Sequence, residues 1–280
     1  MTSPTSPDLL PVIHSLPSLS AVVLDLLQSL GHEEVGNTRL AQKISQDQAL
    51  SARTLKLANS SFYGTSFRSK TVREAVAVLG SKTIHRLATA SAFIDGLPGT
   101  KQGGFDVTSL WRHSIATALC AAELAQATGG AADIAYVAGL LHDVGRLALA
   151  TYQPAEYQQA MAYRAQQDCS VLIAEQRTLG TNHSTIGEAL TRHWKLPEEV
   201  QQAVACHHAV RSGDTSLLPI IVLAADAMAH ALDLAQDPGE AVPPIPTVVW
   251  RTLALSDEAL QGVMRRVLEQ FEAASSVLDS

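Results

Sequence analysis

Apolar residues recur at spacings of three and four along nearly the whole chain, and no long stretch alternates apolar with polar as a half-buried strand would. That periodicity confines the fold to packed helices, so the predicted fold class is all-α. Leu19, Val22, Val23, Leu26, Leu27 and Leu30 form one stripe that stops at Gly31. A second helix is predicted from Asn37 or Thr38 through Leu40 and Ile44, and a third from Gln48 to Ala58. Thr71-Val-Arg-Glu74 has the spacing of a capping box, Gly80 closes that helix, and Ser81 is placed to cap the next.

The glycine-rich stretch DGLPGTKQGGF, residues 95–105, is the best candidate boundary in the chain. Beyond it, helices are predicted at 107–127, 133–150, 155–167, 170–179, 183–194, 197–209 and 217–235. A proline-rich break, DPGEAVPPIP at 237–246, precedes a last amphipathic helix from Ser256 to Val277. Its stripe of Leu260, Val263, Val267, Leu268 and Phe271 can pack on its own domain or on a second copy. The division that follows is a tail (1–11), an N-terminal helical part (12–95), a second helical bundle (105–235) and a C-terminal extension (236–280).

With 280 residues, 46% of them hydrophobic, the chain can bury a sizeable core without disulfide staples. A net charge of −7 supplies no global basic field, so duplex nucleic acid is not an expected partner. Cys120, Cys169 and Cys206 are an odd number without CxxC spacing, which suits a reducing, cytoplasmic setting. The opening residues MTSPTSPDLLPVIHSLPSLS lack a basic region before an apolar one and do not read as an export signal. The most apolar segment, Leu217 to Leu232, is short for a membrane span and carries Asp226 and His230, so a buried helix is expected there.

The chemistry is concentrated in histidines. The segment AGLLHDVGRL, residues 138–147, sets His142 and Asp143 side by side in an apolar run, and His113, His183, His207, His208 and Asp226 lie in the same half of the chain. Imidazole and carboxylate together suit first-row metals, and neutral imidazole is available near physiological pH. On one helix adjacent residues diverge by about 100°, so His142 and Asp143 can flank a buried point only if neighbouring helices close around them. His14, His32, His85, His193 and His230 are read as structural or solvated.

The motifs GLLHDVGR (139–146), Glu175-x4-Gly180-x2-His183-x3-Gly187, Trp194-Lys-Leu-Pro197 followed by His207-His208, and Ala225-Asp226 resemble the HD phosphohydrolase superfamily. Their closer likeness is to its HDOD branch, the HD-related output domain. Leu16-Pro-Ser-Leu19, Ile44-Ser-Gln-Asp47, LANSSFYG (57–64) and AVAVLG (75–80) resemble that branch's N-terminal segments. The resemblance implies two helical parts, the second shaped like the HD catalytic bundle. It also implies a metal ligand set that falls on His113, His142, Asp143, His183, His207, His208 and Asp226, for one or two ions of Fe, Mn, Zn or Mg.

Two departures separate this chain from the HD-GYP enzymes that hydrolyse cyclic di-GMP. Arg146 stands where they carry lysine, and AVRSGDTS (209–216) replaces their glycine-tyrosine-proline loop. The preferred reading is therefore a regulatory signalling module acting through other signalling proteins, with Phe62, Tyr63 and Phe67 as a candidate aromatic contact. The alternative is a metal-dependent phosphohydrolase acting on a nucleotide or phosphodiester, in which Asp143 and Arg146 would serve the reaction, Arg146 by contacting phosphate.

Overall fold

The computed structural model describes residues 37–59, 68–97, 105–209, 216–236 and 241–279. The stripe at 19–30, the aromatic candidates Phe62, Tyr63 and Phe67, most of the glycine-rich linker and residues 210–215 lie outside the described residues. Among the described residues every regular element is a helix, as the periodicity predicted.

Among the described residues, four helices precede the glycine-rich stretch: α1 (Asn37–Ser45), α2 (Gln48–Ala58), α3 (Val72–Leu79) and α4 (Ser81–Gly96). Asp47 caps α2 by accepting the Leu50 N–H at 2.9 Å, satisfying one of the backbone donors a helix start leaves free. Thr71 caps α3 in the same way, but the Glu74 carboxylate accepts from the N–H of Lys70, one residue further out than a capping box expects. Leu40, Ile44, Leu57, Val76 and Ile84 turn inward to make the smaller of two hydrophobic clusters.

The second cluster is larger and is built by α5 (Val107–Ala127), α6 (Ala132–Leu141), α7 (Val144–Tyr152), α8 (Pro154–Gln167), α9 (Val171–Leu179), α10 (His183–His193), α11 (Glu198–Cys206) and α12 (Leu217–Ala231). Helices α5 and α12 are apolar almost all round, and burial follows from that composition: they pack on each other, and both pack on α6. Gly139 permits the closeness of α5 and α6. A Cβ there would sit 2.8 Å from the Thr117 carbonyl oxygen and 2.9 Å from the Ala118 Cα, distances a packed interior does not allow.

Three boundaries depart from expectation. The segment predicted as one helix over 133–150 is two, because the chain turns at His142 and Asp143. Helix α12 stops at Ala231, where Leu232 and Asp233 form a turn with Asp233 at φ 50. A helix absent from the sequence reading, α13 (Thr247–Leu253), follows Pro246 and buries Val249 and Leu253.

The last helix, α14 (Asp257–Ser275), leads into a 3-10 turn at Ser276–Asp279. Its Val263, Val267 and Phe271 enter the larger cluster, whereas Ala273 enters the smaller one. Arg266 and Gln270 both donate to Glu123, a carboxylate on α5 that is otherwise buried. Val263, Val267 and Phe271 of the amphipathic stripe thus pack on their own chain, while Leu268 is exposed.

Candidate metal centre

The His142–Asp143 doublet sits at a junction between helices. His142 ends α6, and its Nδ1–H donates to the Gly139 carbonyl at 2.7 Å, satisfying one of the acceptors a helix end leaves open. His207 does the same at the end of α11, donating from Nδ1 to the Val204 carbonyl at 2.7 Å. His183 is the first residue of α10, behind the Asn182 cap. Its backbone N–H and its Nδ1–H both go to one oxygen of Glu175, at 2.8 and 2.6 Å. In all three residues Nδ1 is tied to an acceptor, so in the neutral ring Nε2 carries the lone pair. That is the tautomer a metal requires, held by the outer hydrogen bond that orients metal-bound histidines.

The free nitrogens converge on two carboxylates. Asp143 Oδ1 lies 3.4 Å from His183 Nε2 and 3.7 Å from His207 Nε2, while its Oδ2 lies 3.8 Å from His142 Nε2. Asp226, on α12, places Oδ1 2.9 Å from His113 Nε2 and 3.6 Å from His142 Nε2. His113 and His142 meet Nε2 to Nε2 at 3.2 Å, and His183 meets His208 at 2.7 Å. Two imidazole nitrogens so close need a proton between them or a cation before both. The seven residues proposed from sequence are therefore all neighbours in space. His208 alone among them is exposed, with its ring tip turned inward.

Two further residues join them. His230, read from sequence as structural or solvated, is half-buried, stacks at 4.3 Å on His113 and brings Nε2 to 3.2 Å from Asp226. Its signal was available: it follows Asp226 by four residues, one helical turn on the same face. Glu175 was noted as part of a motif without a role, and it proves to be the fully buried anchor of His183.

Arg146 is engaged with the doublet. Its guanidinium donates to Asp143 Oδ2 at 2.9 Å and to the Tyr157 hydroxyl at 3.3 Å, so the fork expected to meet phosphate spends at least one arm on the carboxylate.

The charge states of the metal-free cluster follow from this packing. Burial opposes ionisation of Asp143, but His142, Arg146 and His183 outweigh it and hold its carboxyl well below the usual range. Asp226 is likewise depressed against its burial, by hydrogen bonds from His113, His142 and His230. Burial also opposes the protonation of His142 and His183, yet the nearby carboxylates raise both. His207 is lowered, chiefly by burial, with His142 and His183 adding repulsion.

The donor set fits a divalent metal. His207 Nε2 is buried without a hydrogen-bond partner, a lone pair left bare at the centre of the cluster. Three groups of side chains each bring their ligand atoms within 4.8 Å of one another: Asp143, His183, His207 and His208; His113, His142 and Asp143; and His113, Asp226 and His230.

Residues 16–210 match the model of the HDOD domain family. A solved HDOD domain protein of unknown function from Geobacter sulfurreducens superposes with a TM-score of 0.77 at 26% identity, covering 96% of each chain. A Shewanella amazonensis protein provisionally described as a phosphohydrolase superposes with a TM-score of 0.73 at 24% identity, covering 97% of each chain; this likeness concerns the fold. A protein of unassigned function from Treponema pallidum (strain Nichols) is 27% identical over 265 residues, which is 93% of this chain. The chain spans 50% of that relative's length.

Proposed function

The chain belongs to the HDOD family, and from that premise we propose that it is a cytoplasmic regulatory module whose HD-like half is built around a divalent metal centre. The observation that carries the reading is the triple anchoring of Nδ1 at His142, His183 and His207, which leaves three lone pairs converging beside Asp143. His113, His142, Asp143, His183, His207, His208 and Asp226 would hold the metal, with His230 joining at Asp226. A set this rich in imidazole favours Fe, Mn or Zn over Mg.

The two oxygens of Asp143 face different groups, which supports one ion beside Oδ1 and a second place beyond Oδ2. Arg146 neutralises Oδ2 and weakens that second place. A metal here would act as a Lewis acid towards a bound oxygen when a substrate is present. The chain's own residues do the rest: Glu175 fixes the plane of His183, the Gly139 and Val204 carbonyls fix His142 and His207, and Arg146 sets the charge on Asp143.

The regulatory reading assigns the output to contacts with other signalling proteins, with Phe62, Tyr63 and Phe67 as the proposed contact residues. A second reading, a metal-dependent phosphohydrolase of a nucleotide or phosphodiester, is favoured by the exposure of His208, which opens one side of the cluster to solvent. Elemental analysis of the tag-free full chain tests the centre. One or two equivalents of Fe, Mn or Zn, lost in a folded His142→Ala variant, is the expected result, and no bound metal after loading would overturn it. Release of product from a phosphodiester panel, abolished by Asp143→Ala, would decide for the second reading. A partner recovered by pull-down and lost on Tyr63→Ala or Phe67→Ala would decide for the first.

A further inference from the structure

A cavity of about 270 Å³ lies where α4, α5, α6 and α14 meet, lined by none of the residues of the metal centre. Its walls come from both hydrophobic clusters: Leu87 from the smaller one, Leu119 and Tyr136 from the larger, and Ala274 and Gln270 from the helix that joins them. Most of this lining is apolar. Thr83, Arg86, Glu269 and Gln270 are the polar side chains on it, and Arg86 stands apart because its side chain is only 12% exposed, and a guanidinium taken this far from water needs partners.

Arg86 has too few of them. Among the described residues its guanidinium makes no hydrogen bond, and Nε is buried without an acceptor. The nearest carboxylate oxygen, Asp133 Oδ1, is 3.8 Å away, too far for a hydrogen bond, and is itself buried and without a donor. The guanidinium sits 5.5 Å from the ring centroid of Tyr136, over the ring face and without a hydrogen bond to its hydroxyl. Burial pushes the Tyr136 phenol up, so its hydroxyl stays protonated and is a second donor at the same wall. Of the other acidic groups nearby, Glu123 is taken by Arg266 and Gln270, and Glu269, which also lines the cavity, stands at its solvent-exposed side on α14.

We propose that this cavity is a ligand site for a small amphiphile: an oxyanion head, carboxylate or phosphate, clamped by the Arg86 fork, and an apolar body lying over Leu87, Leu119 and Ala274. The geometry of a guanidinium suits such a head, which can accept two parallel hydrogen bonds. The enclosing walls are of the mixed kind that small-molecule sites share, mostly apolar with a few converging polar groups. Because the walls belong to both clusters, an occupant would tie the two parts of the chain together, which gives a regulatory module an input separate from the metal centre.

The probe is 8-anilinonaphthalene-1-sulfonate, which carries one oxyanion on an apolar body, titrated into the full chain and read by fluorescence. One saturable site is expected, weakened at least tenfold by Arg86→Met. Ala274→Phe, which fills the cavity from α14 and leaves Arg86 in place, should block it independently if Arg86→Met fails to fold. Displacement by octanoate but not octyl phosphate assigns a carboxylate head, and the reverse assigns a phosphate. Absence of saturable binding, binding undiminished in both folded variants, or displacement by neither competitor would overturn the proposal.

Discussion

Gly145→Ala should separate the helices that carry the metal centre. A Cβ at this position would lie 2.0 Å from the His183 carbonyl oxygen, 2.7 Å from its carbonyl carbon and 2.9 Å from the Gly187 nitrogen. All three are backbone atoms and cannot rotate away. Restoring ordinary contact distances requires α7 and α10 to part by more than about 1 Å. Overpacking of a close-packed interior costs about 1–3 kcal/mol, and a clash against backbone belongs at the upper end or beyond. For a chain of this size about 3 kcal/mol corresponds to a fall in Tm of roughly 6–12 °C.

The matched control is Gly187→Ala on the facing helix. Its Cβ would meet a single methyl of Val204 at 2.7 Å, which a side chain can yield, and the Gly145 nitrogen only at 3.7 Å. The helical gain of alanine over glycine offsets part of that cost, leaving a change within about 1 kcal/mol. Urea unfolding of both variants in chelator, followed by far-UV circular dichroism, measures the difference. Metal titration then reads whether His183 has moved away from Asp143. Equal stability in the two variants, with unchanged metal affinity, would refute the reasoning.

Glu175→Gln replaces the carboxylate that accepts from both donors of His183 in a fully buried position, and should cost about 2 kcal/mol. The same variant should lower metal affinity about ten- to a hundredfold by chelator competition, and unchanged affinity would remove Glu175 from its anchoring role. Arg146→Ala frees Asp143 Oδ2 and should raise metal affinity or add a second equivalent, and a loss of metal would show that the arginine supports the site instead. Metal-free protein should be most stable between the two titrations. The depressed Asp143 and Asp226 contribute stability above the ordinary value of 3.8, lost as pH falls through their lowered values. The raised His142 and His183 contribute fully below 6.5 and lose that contribution as pH rises through their raised values. Metal needs neutral imidazole, so the Tm gap between Mn-loaded and EDTA-treated protein should widen from pH 6 to 8; a gap that narrows would contradict the assignment.

The long amphipathic and apolar helices were legible because their periodicity and caps are local. Helix α5 follows its predicted span of 107–127, and α10 and α14 lie within a few residues of theirs. The break at His142 and Asp143 was not, because no proline marks it and Gly139 and Gly145 on either side of it lie within helices; the close approach there is tertiary, the docking of Gly145 on the His183 backbone. Helix α13 was hidden by its shortness and by the prolines before it, its existence resting on the burial of Val249 and Leu253. At the site, the motif spacing named seven residues that the structure gathers. The partners of Arg146 and His230 were in reach of spacing as well, with Asp143 three residues before one and Asp226 four before the other. What spacing could not show is the stacking of His230 on His113, which needs helices far apart in sequence to meet in space.

Helix α14 has a consequence for how the chain is made. It supplies Ala273 to one cluster and Phe271 to the other, and its Arg266 reaches a buried Glu123 that lies 143 positions earlier. During synthesis, α1 to α4 leave the ribosome long before Ala273, which joins their cluster, and the 276–279 turn, which packs on α4, exist, and the Glu123 carboxylate likewise waits for its cation. Domains fold as units in the order they emerge, and an unfinished unit exposes surface prone to association. Slowing elongation across 97–256 should therefore lengthen the time these groups stand uncovered and divert chains to chaperones, even though the finished molecule is unchanged.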